Sequence, residues 1–272
     1  MACGRTSSLQ REHVGLCRAC YEEIPWIRKP RCLHCGRPVG CPDCIRAGNE
    51  PRHFVLNRSA AAYNEGMRAW LAQYKYRGNE RYEPLLSFML FHAYRQLRRE
   101  MESGTAFRSS LHPEMPDTGD YGRRAFSSER WQADVITSVP ISETRLRERG
   151  FNQAEQMARG LAAHCRIPYT GLLSRPRHTD KQSFKGRLDR LKSMEGMFET
   201  LPGAGETLQH VRNHGAGSPV QKLSFAGSLR ILLVDDIYTT GSTVNACSRV
   251  LCEAGKAAGV PVEVYSLTWA RS

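Results

Sequence analysis

One stretch near the carboxyl end of the chain combines a strand, a polar loop and a helix start, and it limits the possible folds more than any other feature. The apolar run Ile231–Val234 predicts a buried strand, and Asp235 and Asp236 follow it directly. The polar segment Thr239–Thr243 comes next, and behind it apolar residues recur at helical spacing. A strand that leads through such a loop into a helix is typical of an α/β fold with a parallel sheet.

The loop in this stretch has the composition of a phosphate-binding turn. Backbone N–H groups at a helix start lack intrahelical partners, and Gly241 permits an anion to approach them closely. The two carboxylates repel a phosphate, but they suit a pair of sugar hydroxyls or the water shell of a magnesium ion. The pattern therefore predicts a site for a ribose 5-phosphate. Its expected residues are Asp235, Asp236, Thr239, Thr240, Gly241, Ser242 and Thr243.

Three Cys-x-x-Cys pairs in the first 44 residues predict structural zinc sites. Zinc takes four ligands in a tetrahedron, and each short pair supplies two thiolates. The second and third pairs complete one site, whereas the first needs two more ligands, for which Cys3 and His13 are candidates. We expect a zinc-ribbon module over residues 1–50. The expected ligands are Cys17, Cys20, Cys32, Cys35, Cys41 and Cys44.

Composition and motifs exclude several classes of protein. No apolar segment approaches the length of a membrane span and no charged-then-apolar leader opens the chain, so we expect a cytoplasmic protein. No Gly-x-x-x-x-Gly-Lys-Ser/Thr loop occurs, which argues against a P-loop nucleotide triphosphatase. The formal net charge of +12 favours a polyanionic partner or a polyphosphate substrate.

The remainder of the chain, residues 51–272, reads as one α/β domain in which strands and helices alternate. A short strand is expected around Phe54–Leu56, and two polar stretches, near 102–130 and 201–228, are expected to be mobile insertions. We predict core strands at Asp134–Pro140 and Val262–Leu267, and helices around Met67–Tyr74, Tyr82–Glu100 and Asn152–Cys165. The resulting parallel sheet, covered by helices, would place the acid pair at the carboxyl ends of its strands.

The order of the motifs resembles the ComF family of bacterial competence-type proteins. These motifs are the cysteine pairs, Lys75-Tyr76-Arg77-Gly78, Val139–Ser142, Arg147–Gln153 and the segment from Asp235 to Thr243. The resemblance implies a double zinc ribbon ahead of a type I phosphoribosyltransferase domain that binds phosphoribosyl pyrophosphate (PRPP) with magnesium. It also implies a role in DNA uptake, with single-stranded DNA and a competence helicase as partners. The chain departs from the family pattern at Ser193, where asparagine is expected.

In an enzyme of this type, Asp235, Asp236 and Arg149 are the expected catalytic residues. Arg145, Arg149 and Lys75 are candidates for contacts with the pyrophosphate, because cations stabilise a leaving group of that charge. The acceptor of the pentosyl group is not indicated by the sequence.

An alternative is a non-catalytic protein that binds single-stranded DNA and retains a regulatory or vestigial PRPP site. In that case aromatic residues of the amino-terminal third could stack on bases. These are Tyr21, Trp26, Tyr63, Trp70, Tyr74 and Tyr76.

Overall fold

The computed structural model of the chain describes residues 16–42, 44, 51–76, 82–103, 131–176, 196–214 and 227–272. Helices and strands alternate along most of these ranges. In chain order they are α1 (Arg18–Glu22), β1 (Asn57–Ala62), α2 (Glu65–Tyr76), α3 (Glu83–Glu102), β2 (Val135–Ser138), α4 (Glu143–Arg149), α5 (Gln153–Cys165), β3 (Leu173–Ser174), β4 (Glu199–Thr200), α6 (Ala204–His214), β5 (Leu229–Tyr238), α7 (Ser242–Ala257) and β6 (Val262–Arg271).

A parallel sheet of four strands in the order β1-β6-β5-β2 forms the centre of the fold. The short strands β3 and β4 make a separate antiparallel pair. Strand β2 ends at Ser138, which pairs with Val234, whereas β5 continues for four residues beyond that point. The last residues of β5 therefore have a neighbouring strand on one side only.

Helices cover both faces of the sheet, as the sequence predicts for an α/β fold. Leu232 and Val234 of β5 point into a core shared with α2, α3 and α5. Ile231 and Leu233 alternate with them and point into a second core shared with α6 and α7. This alternation follows from the pleat of a strand, which sends successive side chains to opposite faces. Both faces are apolar because both are buried.

The cysteine-containing segment before residue 42 packs directly on strand β1. The backbone N–H of Asn57 donates to the carbonyl of His34 at 2.6 Å, and the Asn57 side chain donates to the carbonyl of Cys35 at 3.1 Å. The buried guanidinium of Arg58 donates to the carbonyl of Leu33 at 2.9 Å and is paired with Glu100 of α3. The segment is therefore tied to the same sheet that carries the acid pair.

Two expectations from the sequence are wrong in detail. The first strand covers Asn57–Ala62 and not Phe54–Leu56, because Asn57, Arg58 and Ser59 are polar yet buried, with partners far away in the chain. The stretch 201–228 was expected to be a mobile insertion, but its first half contains helix α6. The segment has few apolar residues, and only Ala204 and Leu208 of the helix are buried in the core.

Several expectations fall on residues outside the described ranges. These are Cys3, His13, Gly78, Ser193, most of the insertion near 102–130 and residues 215–226 of the second stretch. Within the described part of the chain, none of the helices combines the length and the hydrophobicity that a bilayer crossing requires.

Candidate functional site

The acid pair lies where β2 stops and β5 continues. Asp235 still pairs with Thr268 of β6, but on its other side the sheet is open. Helix α5 begins beside this opening, and its N-cap residue Asn152 donates from its side chain to the carbonyl of Val139 at 3.1 Å. Asp235 and Asp236 are 9% and 8% exposed, so both residues are largely buried at the carboxyl edge of the sheet. Ligands of parallel α/β sheets bind at this edge.

Two side chains from two helices contact Asp236, and a third side chain, from α4, contacts one of these two. Lys75, at the end of α2, forms an ion pair with Oδ2 of Asp236. Nε2 of Gln153 donates to the same oxygen at 3.0 Å, and Oε1 of Gln153 accepts from Nη1 of Arg149 at 3.0 Å. The Arg149 guanidinium in turn lies 5.2 Å from the ring centroid of the exposed Tyr76. The structure thus brings together three of the residues expected at the site, Asp236, Lys75 and Arg149.

Each carboxyl group of the pair keeps one oxygen available. Oδ1 of Asp235 accepts from the backbone N–H of Asp236 at 2.8 Å, and Oδ2 of Asp236 is held by Lys75 and Gln153. Among the described residues, Oδ2 of Asp235 and Oδ1 of Asp236 have no hydrogen-bond partner. Two adjacent acceptors of this kind match the two hydroxyls of a vicinal diol.

Burial and, after it, the neighbouring charge of Asp236 raise the pKa of the Asp235 carboxyl to about 8. The hydrogen bond from the Asp236 backbone and the charge of Lys75 act against this shift without cancelling it. In the ligand-free protein Asp235 therefore carries a proton over much of the neutral range. A ligand that donates hydrogen bonds to this group favours its ionised form.

The loop after β5 turns sharply at Gly241, which has φ +87°. A Cβ atom at Gly241 would lie 2.1 Å from the hydroxyl oxygen of Tyr238, so only glycine fits. The carbonyl of Gly241 accepts from the N–H of Asn245 at 2.8 Å, which begins α7. The remaining loop residues expected at the site flank this turn, with Thr239 and Thr240 exposed and Ser242 and Thr243 half-buried. At the start of this sixteen-residue helix the N–H of Ser242 donates to the hydroxyl of Thr240 at 3.5 Å, a long contact that an anion can replace when it binds the helix start.

Arg145 does not reach the acid pair. It lies exposed on α4, and its backbone N–H donates to the side chain of Ser142 at 3.4 Å. The pKa of Arg175 is lowered mainly by burial and, to a smaller extent, by repulsion from the positive charge of Arg145. These two guanidinium groups form a second cationic element of the region, and Arg175 was not expected from the sequence.

The four cysteines of the second and third pairs form one compact cluster. The sulfur atoms of Cys32, Cys35, Cys41 and Cys44 lie within 4.8 Å of one another, and those of Cys35 and Cys41 are 3.3 Å apart. In a tetrahedral zinc site with Zn–S bonds of about 2.3 Å, the sulfur atoms are roughly 3.8 Å apart. The donor set and its spacing therefore fit a structural zinc ion.

The first cysteine pair is not part of this cluster. Cys17 is the N-cap of α1 and accepts from the N–H of Cys20 at 3.5 Å, and Cys20 packs in the core beside Leu16 and Ile24. Within the described ranges these two residues belong to no group of three or more metal-binding side chains. The additional ligands expected for them, Cys3 and His13, lie outside those ranges.

Two residues of the site were not assigned from the sequence. Gln153 joins Arg149 to Asp236 through hydrogen bonds of its side chain. The feature of the sequence that could have indicated this role is the position of Gln153 at the start of a helix, directly after the N-cap Asn152. Tyr238 shapes the loop through its contact with Gly241, and no local pattern indicates that contact.

Taken together, the helix-covered parallel sheet and the amino-terminal cysteine cluster define an α/β protein with a zinc-ribbon-like module. The motifs and the relatives of the chain specify the family further. The chain is 29% identical to the competence protein ComFC of Bacillus subtilis, over 94% of this chain and 85% of the relative. It is 27% identical to ComFC of Streptococcus pneumoniae (91% and 86%) and 24% identical to competence protein F of Haemophilus influenzae (89% and 86%). No family model matches. These relatives support the resemblance of the chain to the ComF family.

Proposed function

We propose that the chain binds PRPP at the carboxyl edge of its sheet and acts in DNA uptake. The observation that carries the proposal is the pair of available carboxyl oxygens, one on Asp235 and one on Asp236, beside the helix start that follows Gly241. The names of the relatives in Bacillus, Streptococcus and Haemophilus, all competence proteins, support the biological role.

Each part of PRPP has a counterpart in this arrangement. The ribose hydroxyls donate to Asp235 and Asp236, and the 5-phosphate accepts from the amides of the loop Thr239–Thr243. The pyrophosphate then lies on the side of Lys75 and Arg149, whose positive charges oppose its negative charge. For the phosphate to reach Lys75, the ion pair between Lys75 and Asp236 has to loosen.

A magnesium ion fits this donor set, because carboxylate oxygens and substrate phosphates are its usual ligands. Asp235 and Asp236 are the residues that would hold it, directly or through water. When bound, magnesium neutralises charge on the pyrophosphate and so aids its departure.

The reaction that follows from such a site is pentosyl transfer, the chemistry of a phosphoribosyltransferase. Departure of pyrophosphate leaves positive charge on the sugar ring, which the buried carboxyl groups stabilise. Arg149 and Lys75 stabilise the leaving group, and the low exposure of the acid pair limits attack by water. No protein nucleophile is needed for this reaction.

The second candidate is a non-catalytic DNA-binding protein that retains PRPP as a regulatory ligand. The net charge of +12 favours it, because positively charged surfaces bind the backbone of nucleic acids. The two candidates share the PRPP site and differ in turnover.

Calorimetric titration of magnesium-PRPP into the zinc-loaded protein tests the proposed site. We expect saturable binding by the wild-type protein and its loss in the double variant Asp235→Asn/Asp236→Asn. Glu253→Gln serves as a control, because this exposed carboxylate lies in the last turns of α7 and pairs with Arg249. Unchanged PRPP affinity in the double variant overturns the proposed site. Release of pyrophosphate in the presence of candidate acceptors then separates an enzyme from a binding protein.

A further inference from the structure

A cleft lies away from the acid pair, between α3 and the segment that follows α1. It has a volume of about 360 Å³, within the range of small-ligand sites. Three arginines, one histidine and two aromatic residues contribute to its lining: Arg28, Arg95, Arg99, His92, Tyr21 and Trp26. None of the residues that line it belongs to the acid pair or to the loop after β5.

The wall formed by residues 25–28 is fixed to the sheet. The N–H of Ile27 donates to the carbonyl of Ala60 at 3.0 Å, and the N–H of Ala62 donates to the carbonyl of Pro25 at 2.9 Å. These two bonds flank the antiparallel bridge between Trp26 and Ala61. The cleft is therefore held in shape by backbone contacts with strand β1.

The arginines of this cleft form a cluster of positive charge. Arg95 and Arg99 are four residues apart on α3 and so share a helix face, and Arg28 faces them from the opposite wall. Among the described residues, no carboxylate pairs with any of the three, and Glu100 is already engaged by Arg58 and Gln96. Like charges placed together destabilise a fold, and a bound anion removes that repulsion.

Aromatic rings lie next to these charges. The ring centroids of Tyr21 and Trp26 are 5.5 Å apart, and those of Trp26 and His92 are 5.2 Å apart. Such rings stack on flat heterocycles, and guanidinium groups bind phosphate through their planar fork. A ligand that satisfies both elements carries a phosphate next to a planar base.

We propose that this cleft binds a nucleoside phosphate, with the phosphate on Arg28, Arg95 and Arg99 and the base against Trp26. The ligand is either a free nucleotide or one nucleotide unit of a DNA strand, since both present the same chemistry. The site is separate from the PRPP site and does not depend on it.

Calorimetric titration with thymidine 5′-monophosphate tests the proposal in the full-length, zinc-loaded protein. We expect saturable binding that weakens with added salt, and at least about tenfold weaker binding of thymidine, which lacks the phosphate. The triple variant Arg28→Gln/Arg95→Gln/Arg99→Gln should lose about tenfold or more in affinity for the nucleotide. Arg249→Gln, which removes one charge on α7, should bind as the wild type does.

Magnesium-PRPP titration of the same triple variant shows whether the fold and the acid-pair site are intact. Absence of nucleotide binding by the wild-type protein overturns the proposal, and so does a triple variant that binds the nucleotide as well as the wild type. The latter result would place the nucleotide at another site, such as the loop after β5.

A short oligothymidylate distinguishes the two sources of the ligand. Much tighter binding of the strand than of the mononucleotide, lost in the triple variant, assigns the cleft to DNA. Equal or weaker binding of the strand assigns it to a free nucleotide.

Histidine titration followed by NMR adds a readout that a purely structural role would not change. The pKa of His92 is lowered by burial and then by the charges of Arg95, Arg28 and Arg99. A phosphate bound among these arginines opposes their field, so the pKa of His92 should rise when the nucleotide binds. Aromatic groups, Trp26 and Phe88, are the other close ring neighbours of His92. An unchanged pKa of His92 in the presence of saturating nucleotide contradicts the proposed position of the phosphate.

Discussion

Nη2 of Arg271 lies 3.7 Å from Sγ of Cys35, although 236 residues separate the two in the chain. The same guanidinium donates to the carbonyl of Tyr238 at 3.3 Å and lies 4.8 Å from the centroid of its ring. Tyr238 in turn contacts Gly241, where the loop after β5 turns. A cysteine of the candidate zinc site is thus connected to the candidate phosphate loop through two buried side chains.

Loss of zinc should therefore weaken both the fold and PRPP binding. For Cys32→Ser we expect a fall in melting temperature of about 10 °C and weaker binding of magnesium-PRPP, because structural zinc contributes folding free energy directly. Zinc content, thermal unfolding and calorimetry measure the three effects. Cys252→Ser is the matched control, since this half-buried thiol lies outside the cysteine cluster. Full zinc occupancy and wild-type stability in Cys32→Ser would contradict the assignment of the metal site.

Gly241→Ala should distort the loop after β5. The added methyl group meets the hydroxyl of Tyr238, and alanine disfavours the positive φ of this position. We expect a loss of about 1–3 kcal/mol in the free energy of unfolding and a severe loss of PRPP affinity. Gly259→Ala provides the comparison, because Gly259 also has positive φ but has nothing within 4 Å of its Cβ position. Equal losses of stability in the two variants would show that the contact with Tyr238 contributes nothing.

Replacement of Gln153 by glutamate should disturb the acid pair without changing side-chain size. The new carboxylate faces Asp236 at the position where an amide nitrogen now donates at 3.0 Å, so repulsion replaces a hydrogen bond. We expect PRPP affinity to fall by about tenfold or more. Gln209→Glu, at an exposed position on α6, controls for the added charge. Calorimetry with both variants checks the prediction, and wild-type affinity in Gln153→Glu would remove Gln153 from the site.

PRPP binding should release a proton from Asp235 near neutral pH. This carboxyl group is protonated in the free protein because its pKa is raised to about 8, and hydrogen bonds from the ribose hydroxyls favour the ionised form. Affinity should therefore increase as the pH rises towards 8, until the free protein has itself lost the proton. Calorimetry in buffers of different ionisation enthalpy counts the released protons. In the variant Asp235→Asn, any protons released on binding come from groups other than Asp235, such as PRPP itself. If the wild type and the variant release the same number of protons, the prediction is contradicted.

The same shift has a consequence for the stability of the ligand-free protein. In the unfolded chain Asp235 ionises near pH 4, whereas in the folded protein it keeps its proton up to about pH 8. Between these values the folded state binds the extra proton, so the contribution of Asp235 to stability decreases as the pH rises through this window. We expect Asp235→Asn to reduce the pH dependence of the melting temperature between pH 5 and pH 8. An identical pH profile in the variant would show that Asp235 ionises normally.

Much of the fold was predictable because its signals are local. The apolar run Ile231–Val234 is buried on both sides, as a central parallel strand requires, and the polar loop behind it leads into α7. The helix predicted around Asn152–Cys165 covers Gln153–Cys165. Strand β1 was displaced in the prediction because its polar residues are satisfied by remote partners, among them Leu33 and Glu100. Helix α6 was missed because only Ala204 and Leu208 of that segment are buried.

The candidate site divides in the same way. The short distance along the chain between Cys32, Cys35, Cys41 and Cys44 determines their grouping, because four thiols on two tight turns have few other arrangements. Adjacent positions in the chain likewise make Asp235 and Asp236 neighbours. Only the tertiary structure decided that Lys75 and Gln153 meet at Asp236, that Arg145 does not, and that Arg271 joins Cys35 to Tyr238. The physical reason is that covalent spacing limits only near neighbours in the chain. Contacts between distant residues depend on which strands pair and where each strand ends.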